Sequence, residues 1–591
     1  MKSDVSGVLL FIGCLFLILQ PLFADWQALN VDAGQAGAWA MLYRYGSIGV
    51  LGVWTACLLM PQRVVRRLPD VASFVLMGCV IWEAVVALNQ LYGDGMSNHA
   101  LYRFTGTFLN PGPFSGFLAI GVPLAVNGLL APSDSPKGGE MRLPIPPRWR
   151  GKWKCITSAL SPFGGVGRGF CLLTLVLCLL LLPAGMSRSA WMAAAAGAMA
   201  VYGMHRWRSI KEWCGTLLRS RKGMMAVGAT LVLCIGMGWG AFHLKKDSAN
   251  GRLLMWKVAC QAIAERPWTG YGAEGFPTAY AEAQERYFAS GQGTEEEKHV
   301  AGTPEHAFNE YLTVAVKYGT GGLVGMLAIG ITAFVCALRG RAYGMAGALV
   351  TVAVFAFSAY PFQLPDFLSA VVVVGAVPFG LLFRHGLHEL RKACILTSFY
   401  KATNTSYKVV AFVFALLSTG IVVMGIEQTR TWQARHEAAK EWRNARTLYH
   451  MEAYSVVCED YAPLYERMRW NHNYLFEYGR ALHQTGHYEE SNRILKEAEQ
   501  LCGDPMILNI QGKNHEAMEQ FDQAAMLYRR AYDRLPNRLY PLYLEMEMYA
   551  SPTCDRMEEA KRIALRILDT KEKIPSKAVE EMKEKAREVA R

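Results

Sequence analysis

The chain alternates long apolar runs with polar loops up to about residue 427 and is polar from there to its end. Each run approaches the ~20 residues with which an α-helix crosses about 30 Å of hydrocarbon. The pattern therefore predicts an all-α polytopic membrane domain over residues 1–429 and a soluble domain over residues 430–591. Eleven runs are candidate spans, at roughly residues 7–22, 46–60, 71–91, 113–130, 169–185, 189–204, 224–243, 312–338, 345–360, 366–383 and 408–426.

Composition supports a membrane protein and argues against a nucleic-acid partner. Of the 591 residues, 52% are hydrophobic and only 19% are charged, whereas soluble domains carry about a quarter charged residues. The net charge of +12 reflects loops on one side of the predicted membrane, and no nucleic-acid-binding motif accompanies it. No CxxC pair or Cys/His ligand spacing occurs, so we expect no metal site and no cofactor.

The cations also predict the orientation in the membrane. Only Arg44, Arg103 and Arg188 lie in the short loops of one side, so the other, cation-rich side is cytoplasmic by the positive-inside rule. This topology places a long polar loop, at about residues 244–311, and the whole C-terminal domain outside the cytoplasm. The cytoplasmic set comprises Arg63, Arg66, Arg67, Lys137, Arg142, Arg148, Arg150, Lys152, Lys154, Arg168, Arg206, Arg208, Lys211, Arg219, Arg221, Lys222, Arg339, Arg341, Arg384, Arg391, Lys392 and Lys401.

Three ionisable residues on the predicted outer side are candidates for chemistry. Arg188 lies between two spans, Arg252 near the start of the polar loop and His306 near its end. A guanidinium binds phosphate oxygens in a bidentate manner, and a neutral imidazole accepts a proton from a hydroxyl. Together they suit transfer of a group from a lipid diphosphate to an alcohol. Taken singly, each residue also has a structural explanation. Arg188 could anchor the chain at the lipid headgroups, Arg252 could lie on a solvated helix face, and His306 could make a structural hydrogen bond.

Four motifs surround these residues in a fixed order. They are Thr105-Gly106-Thr107-Phe108-Leu109-Asn110-Pro111 with Gly116 and Pro123; Ser187-Arg188-Ser189; Arg252 with Trp256 and Pro267-Trp268-Thr269-Gly270-Tyr271-Gly272; and His306-Ala307-Phe308-Asn309-Glu310-Tyr311-Leu312 with Tyr318-Gly319. In these motifs, roughly residues 5–427 resemble the O-antigen ligase and O-antigen polymerase superfamily of integral-membrane glycosyltransferases. The chain departs from many relatives at Lys317, where they carry an acid, and in a longer basic loop at residues 132–167.

The resemblance implies an activity, a location and a set of site residues. Such enzymes take a glycan from undecaprenyl diphosphate at the periplasmic face of the bacterial inner membrane, without a metal or a nucleotide sugar. The acceptor is lipid A-core, another glycan or a protein hydroxyl. The resemblance makes Arg252, His306 and Arg188 the expected catalytic residues. Attack from the face opposite the diphosphate would invert the anomeric carbon.

Several weaker candidates accompany this set. Asn110-Pro111-Gly112-Pro113 would break a helix at the outer edge of the membrane, where irregular backbone is tolerated only beside a cavity. It shapes a substrate entrance, with Arg103 as a further phosphate contact, or it is a structural turn. Asn309 and Tyr311, in the histidine motif, are further substrate-binding candidates. Glu83 lies within a span, where a carboxylate pairs with a neighbour or faces a cavity.

The C-terminal domain contains a repeat with a period of 33 residues. Small residues where two helices cross, an aromatic or Leu four positions later and a terminating Pro are typical of tetratricopeptide repeats. The pattern predicts an α-solenoid that binds a peptide or protein partner, with an ordinary helical bundle as the alternative. Gly479, Ser491, Leu495 and Ala498 recur as Gly512, Ala524, Tyr528 and Ala531, followed by Pro536.

The sequence thus favours a metal-independent, inverting, ligase-like transfer from undecaprenyl diphosphate. Surface-polysaccharide polymerase and protein O-oligosaccharyltransferase are alternatives within the same chemistry. The repeat domain makes the second, or a complex with assembly partners, slightly more attractive. A polysaccharide transporter would carry ionisable residues at mid-span and internal repeats among its spans. In a non-enzymatic assembly scaffold, substitution of His306 would be silent.

Overall fold

The computed structural model describes residues 2–23, 38–131, 165–219, 225, 246–396, 423, 425–427, 429–431, 433–570, 573 and 576–591. Every regular element in these residues is a helix, as the apolar pattern predicts. By its internal contacts the chain divides into two units. The first comprises Met1–Ala226 and Gly325–Trp432, and the second comprises Val227–Val324 and Gln433–Arg591.

Twelve α-helices of five residues or more lie in the described residues before residue 397, and they are numbered in chain order. They are α1 (Lys2–Leu19), α2 (Ser47–Leu59), α3 (Leu68–Tyr92), α4 (Pro111–Leu130), α5 (Gly165–Ala184), α6 (Arg188–Arg219), α7 (Lys246–Glu265), α8 (Phe276–Ala289), α9 (Glu295–Val300), α10 (Glu310–Arg339), α11 (Tyr343–Ala356) and α12 (Pro365–Leu396). Most of the first unit consists of the apolar members of this set, whereas α7, α8 and α9 belong to the second unit.

Seven helical segments in the described residues are long and apolar enough to cross a membrane, and they match seven of the eleven predicted spans. Of the other four, one lies within the alanine-rich α6 and one coincides with the shorter α11. The two at residues 224–243 and 408–426 lie almost wholly outside the described residues. Eleven spans therefore stay a prediction. The seven segments are Val5–Phe23, Ala38–Leu59, Gln62–Tyr92, Pro111–Leu130, Gly167–Ala184, Glu310–Arg339 and Pro365–Leu382.

Helix α4 is the most deeply buried of these segments, with 78% of its apolar window inside the protein. It packs against α3, α5, α6 and α11. Asn110 starts the helix, because its side-chain oxygen accepts a hydrogen bond from the Gly112 N–H at 2.9 Å. This bond is an N-cap, and proline is favoured in the position that follows. The Asn110-Pro111-Gly112-Pro113 sequence is thus a helix start.

Glu83, buried inside α3, has a partner in the segment that links α3 to α4. Its carboxylate accepts hydrogen bonds from the Thr107 backbone N–H at 3.0 Å and from the Thr107 hydroxyl at 2.7 Å. Gly106 has a φ of +60°, and a Cβ there would lie 2.4 Å from a Glu83 oxygen. The first motif therefore wraps a buried carboxylate, and Glu83 pairs with a neighbour, one of the two alternatives predicted.

The polar loop folds around a small core of its own in the second unit. Helices α7, α8 and α9 and the first turns of α10 enclose it, and its buried members include Val258, Phe276, Tyr280, Ala307 and Val316. Burial of such side chains is worth roughly 1.5–3 kcal/mol each for the large ones. Because Ala307 belongs to this core, the backbone next to His306 is anchored to it.

Helix α10 is broken at Gly319, where the Pro-Trp-Thr-Gly-Tyr-Gly motif docks. Gly319 has φ +68° and ψ −174°, a conformation essentially restricted to glycine. The break makes backbone groups of α10 available to the motif. The Thr320 N–H donates to the Pro267 carbonyl at 2.7 Å. The N–H groups of Tyr271 and Gly272 donate to the carbonyls of Val316 and Lys317, respectively, each at 2.9 Å. The two motifs therefore form one joint.

From Tyr454 onward the numbering continues with α13 (Tyr454–Tyr461), α14 (His472–Gln484), α15 (Tyr488–Leu501), α16 (Pro505–Ala517), α17 (Phe521–Arg534), α18 (Tyr540–Ala550), α19 (Met557–Asp569) and α20 (Lys577–Ala590). Consecutive helices from α14 to α20 pack on one another. A Cβ on Gly479 would lie 2.6 Å from Leu495, and one on Gly512 would lie 2.5 Å from Tyr528. The two glycines thus occupy equivalent helix crossings, as the repeat predicts. The solenoid and the boundary at residue 430 stay predictions.

Candidate active site

Arg252 and His306 belong to one small assembly in the second unit. The Arg252 guanidinium carbon lies 5.6 Å from the centroid of the Phe308 ring, within the range of a cation–π contact. One turn further along α7, the indole N–H of Trp256 donates to the Ala307 carbonyl at 3.1 Å. Helix α7 therefore holds the two residues that follow His306, and it carries the arginine that the sequence assigned to the same site.

His306 is mostly buried, whereas its neighbour Glu305 is open to solvent. The side chains are 23% and 86% exposed, respectively, and the imidazole Nε2 lies 4.0 Å from the nearest Glu305 carboxylate oxygen. That distance is too long for a hydrogen bond. The Glu305 carboxylate is therefore a solvated surface group and does not orient the imidazole.

The surroundings of His306 favour its neutral form. Burial lowers the pKa of His306 from 6.5 to about 4; the positive charge of Lys317 acts in the same direction, and a hydrogen bond to the Glu305 backbone opposes them. The neutral imidazole is the form that accepts a proton. His306 is thus neutral throughout the neutral pH range.

This lowered pKa predicts the acid limb of the pH–rate profile. The folded protein takes up the proton only near pH 4, whereas the unfolded chain takes it up near pH 6.5. Stability contributed by this group is therefore lost as the pH falls from 6.5 towards 4. Activity that depends on neutral His306 should persist below pH 6, and Lys317→Gln should move the acid limb to higher pH. Initial rates at donor concentrations well below KM, across pH 4 to 8, measure both, because they report the ionisation of the free enzyme. Lys298→Gln, a change at a loop surface lysine, is the control, and an unmoved limb contradicts the assignment.

Asn309 caps the helix that follows the histidine motif. It is 4% exposed, and its side-chain oxygen accepts a hydrogen bond from a backbone N–H of the first turn of α10 at 3.2 Å. The Thr313 hydroxyl donates to the Asn309 carbonyl at 3.0 Å and accepts from the Ala307 N–H at 3.2 Å. These bonds fix the turn in which Phe308 takes a φ of +48°. Substrate contact by Asn309 and by the half-buried Tyr311 stays a prediction.

Arg188, Arg103 and Asn110 belong to the first unit. The exposed Arg188 is the first residue of α6, and the turn before it packs on α4, where a Cβ on Gly185 would lie 2.1 Å from the Ser115 hydroxyl. Asn110 caps the same end of α4, and the exposed Arg103 lies in the segment leading to it. The ends of α4, α5 and α6 that carry Asn110 and Arg188 are therefore neighbours. The roles of these three residues in substrate binding stay predictions.

Two features of the site were not predicted from the sequence. Lys317 was noted only as a departure from relatives, although its charge acts on His306. The C-terminal helices were expected to bind a separate partner, yet Asn537 contacts Ala301, five residues before His306, and Arg534 contacts Gln284 of α8. Among the described residues, no group of three or more His, Cys, Asp or Glu side chains is arranged to hold a metal ion.

Comparison with known proteins gives one family match. Residues 173–328 match a protein-family model described as O-antigen ligase. This range includes Arg188, Arg252 and His306, although it covers well under half of the 591 residues. No curated protein matches the chain. The match and the seven apolar helices support a multi-pass inner-membrane protein of the O-antigen ligase superfamily, a glycosyltransferase-type enzyme that handles a lipid-linked glycan and an acceptor.

Proposed function

We propose that the protein transfers a glycan from undecaprenyl diphosphate to an acceptor hydroxyl at the periplasmic face of the inner membrane. The observation that carries the proposal is the assembly of Arg252, Phe308 and His306, which combines a permanent cation with a neutral base. A permanent cation suits a diphosphate leaving group, and a neutral imidazole suits activation of an alcohol.

In the proposed step, His306 accepts the proton of the acceptor hydroxyl as its oxygen attacks the anomeric carbon. The new C–O bond forms while the bond from that carbon to the diphosphate oxygen breaks. Undecaprenyl diphosphate leaves with the electron pair, and Arg252 and Arg188 stabilise its negative charge. Attack opposite the leaving group inverts the anomeric carbon, and the imidazolium then releases its proton to solvent.

A pKa near 4 makes His306 a weak base in the donor-free enzyme. Binding of the donor is expected to make it a stronger base. An anionic diphosphate near the imidazole favours the protonated form and raises its pKa. Proton transfer is therefore easiest when the donor is bound. In this proposal burial, together with the charge of Lys317, keeps the imidazole neutral in the free enzyme, and the donor offsets the charge of Lys317.

The acceptor distinguishes three branches: lipid A-core for a ligase, a glycan for a polymerase and a protein hydroxyl for an O-oligosaccharyltransferase. The predicted repeat domain, with a protein partner, gives some preference to the third. A transporter has less support, because the buried Glu83 is already hydrogen-bonded to Thr107. A scaffold has less support because it requires no base at residue 306.

A gene deletion complemented with Arg252→Ala or Arg252→Lys tests the proposal. We expect Arg252→Ala to lose about 10²–10³-fold in rate, the effect of removing one donor to a developing anion. Arg252→Lys should recover only part, since an ammonium cannot bind two oxygens in the same fork. Lipid-linked glycan, surface glycan and glycoprotein are profiled at matched membrane expression.

The control is Arg286→Ala, because this loop arginine is 51% exposed and is paired with Glu265 on the surface. It should leave all products unchanged. Accumulation of undecaprenyl-linked glycan together with loss of one product class supports the proposal, and the missing product identifies the acceptor. Full restoration of every product by Arg252→Ala would remove Arg252 from the mechanism.

A further inference from the structure

The C-terminal domain contacts the polar loop at the segment that leads into His306. Asn537 follows α17, and its side-chain amide donates to the carbonyl of Ala301 at 2.8 Å and to that of His299 at 3.1 Å. The Lys573 ammonium adds a hydrogen bond to the Ala301 carbonyl at 3.3 Å. Ala301 is 1% exposed, so the bonds to its carbonyl replace the water that burial has removed.

A second connection runs through the buried amide of Gln284 in α8. Its Nε2 donates to the Gly302 carbonyl at 3.1 Å and also to the carbonyl of Arg534, the last residue of α17. The Tyr280 hydroxyl donates to its Oε1 at 2.9 Å. The amide is thereby fixed from three sides, and it links the end of α17 to the residue four positions before His306.

An ionic cluster joins the same helices. Glu285 of α8 accepts from Arg530 and Arg534, each at 2.7 Å. The two arginines also donate to Glu499 of α15, at 2.9 Å and 2.7 Å. The Arg534 side chain is 1% exposed. Loss of either anion would leave the buried Arg534 with fewer partners for its charge, which a buried charge tolerates poorly.

We propose that Asn537 and Arg534 are positioning residues for His306, so that the C-terminal domain is a structural part of the active site. This inference rests on the proposed function. The contacts hold residues 299–302, and only three residues separate this anchored stretch from the imidazole. On the other side, Ala307 is held by the loop core and by Trp256. The imidazole therefore lies on a short bridge, residues 303–306, between two anchored stretches of backbone. The C-terminal domain fixes one end of this bridge.

The bridge explains why removal of a distant hydrogen bond should affect turnover. A displacement of about 1 Å at a reacting group can cost about 10²-fold in rate. Loss of the Asn537 amide frees one end of the bridge and leaves Arg252, which contacts the donor, in place. The expected result is a lower kcat with little change in KM for the donor.

The test uses the full-length protein in lipid nanodiscs with lipid-linked glycan extracted from the deletion strain. For Asn537→Ala we expect kcat to fall about 10–100-fold, with KM for the donor nearly unchanged. Amide hydrogen exchange in residues 299–306 should become faster in the same variant. Asn473→Ala, at an exposed asparagine of the same domain, is the matched control and should change neither.

A charge exchange tests the ionic cluster independently. Glu285→Arg alone should lower kcat, because three cations then face Glu499. Adding Arg530→Glu restores two pairs of opposite charge and should recover most of the lost kcat. Recovery is informative because two separately damaging changes would otherwise accumulate.

The outcomes separate this inference from the proposed function. If Asn537→Ala and Glu285→Arg are folded and keep wild-type kcat while His306→Ala is inactive, the positioning role is wrong and the proposed function stands. If kcat per folded molecule is unchanged and only the yield falls, the contacts are merely structural, and the inference is again overturned. If His306→Ala itself turns over like the wild type, the proposed function fails.

Discussion

His306→Ala should abolish glycan transfer while the protein still inserts and binds its donor. General-base catalysis contributes about 10²–10⁴-fold, so the variant should lose that factor in kcat. His306→Gln should be equally inactive, because an amide fills the space without accepting a proton. Donor binding should persist, since the substitution leaves in place the Phe308 ring on which the Arg252 guanidinium rests. Single-turnover rates with lipid-linked glycan measure the loss.

Two neighbouring changes make this prediction specific. Glu305→Gln alters a carboxylate that is 86% exposed and 4.0 Å from the imidazole, and activity should remain close to wild type. His299→Ala removes another loop histidine, whose side chain is exposed, and its activity should likewise remain close to wild type. Substantial turnover by His306→Ala would show that another group accepts the proton. Loss of activity in Glu305→Gln would show that the Glu305 carboxylate orients the imidazole after all.

Gly319→Ala should damage both stability and activity. The backbone at φ +68° and ψ −174° costs a residue with a side chain about 1–3 kcal/mol. In addition, the new Cβ would lie 2.2 Å from the Trp268 carbonyl oxygen and 2.4 Å from its carbon. Both atoms are backbone, so the docked motif must move away from α10. We expect a lower melting temperature in detergent and a lower kcat.

Gly321→Ala is the matched control for this change. It lies two residues further along α10, where a Cβ would find only the Trp268 carbonyl oxygen, at 4.0 Å. That contact is ordinary, and alanine favours a helix over glycine, so stability should be unchanged or slightly higher. Equal behaviour of the two variants would show that the joint at Gly319 tolerates rearrangement.

Much of the helical framework could be predicted, because the length of an apolar run measures a span directly. The apolar run at 366–383 forms only the first part of α12, which continues to Leu396. The apolar run shows which residues can lie in the membrane, but it does not show where the helix ends. Helix α11 ends at Ala356, before the end of the apolar run at 345–360 and four residues before Tyr360, which precedes Pro361. Residues before a proline avoid the helical region. Helices α8 and α9 have no such signal and were not predicted.

The site was predictable in part for a similar reason. Arg252 and His306 lie in recognisable motifs, and chemistry alone suggested that they work together. Asn110 and Asn309 were read as substrate contacts, although their bonds also make them helix caps. The contact of Asn537 with Ala301 spans 236 positions. No local pattern of apolar and polar residues encodes a pairing over that distance, and only the folded chain shows it.

The contribution of the C-terminal domain to the loop also sets an order of events during biosynthesis. Asn537 and Lys573 are translated after every predicted span, whereas the carbonyls that they contact were made hundreds of codons earlier. A nascent chain that has already inserted its last predicted span still lacks these two hydrogen-bond donors. In the proposed mechanism the site is complete only after Asn537 and Lys573 have been synthesised, and a chain truncated before Asn537 is expected to occupy the membrane without transferring glycan.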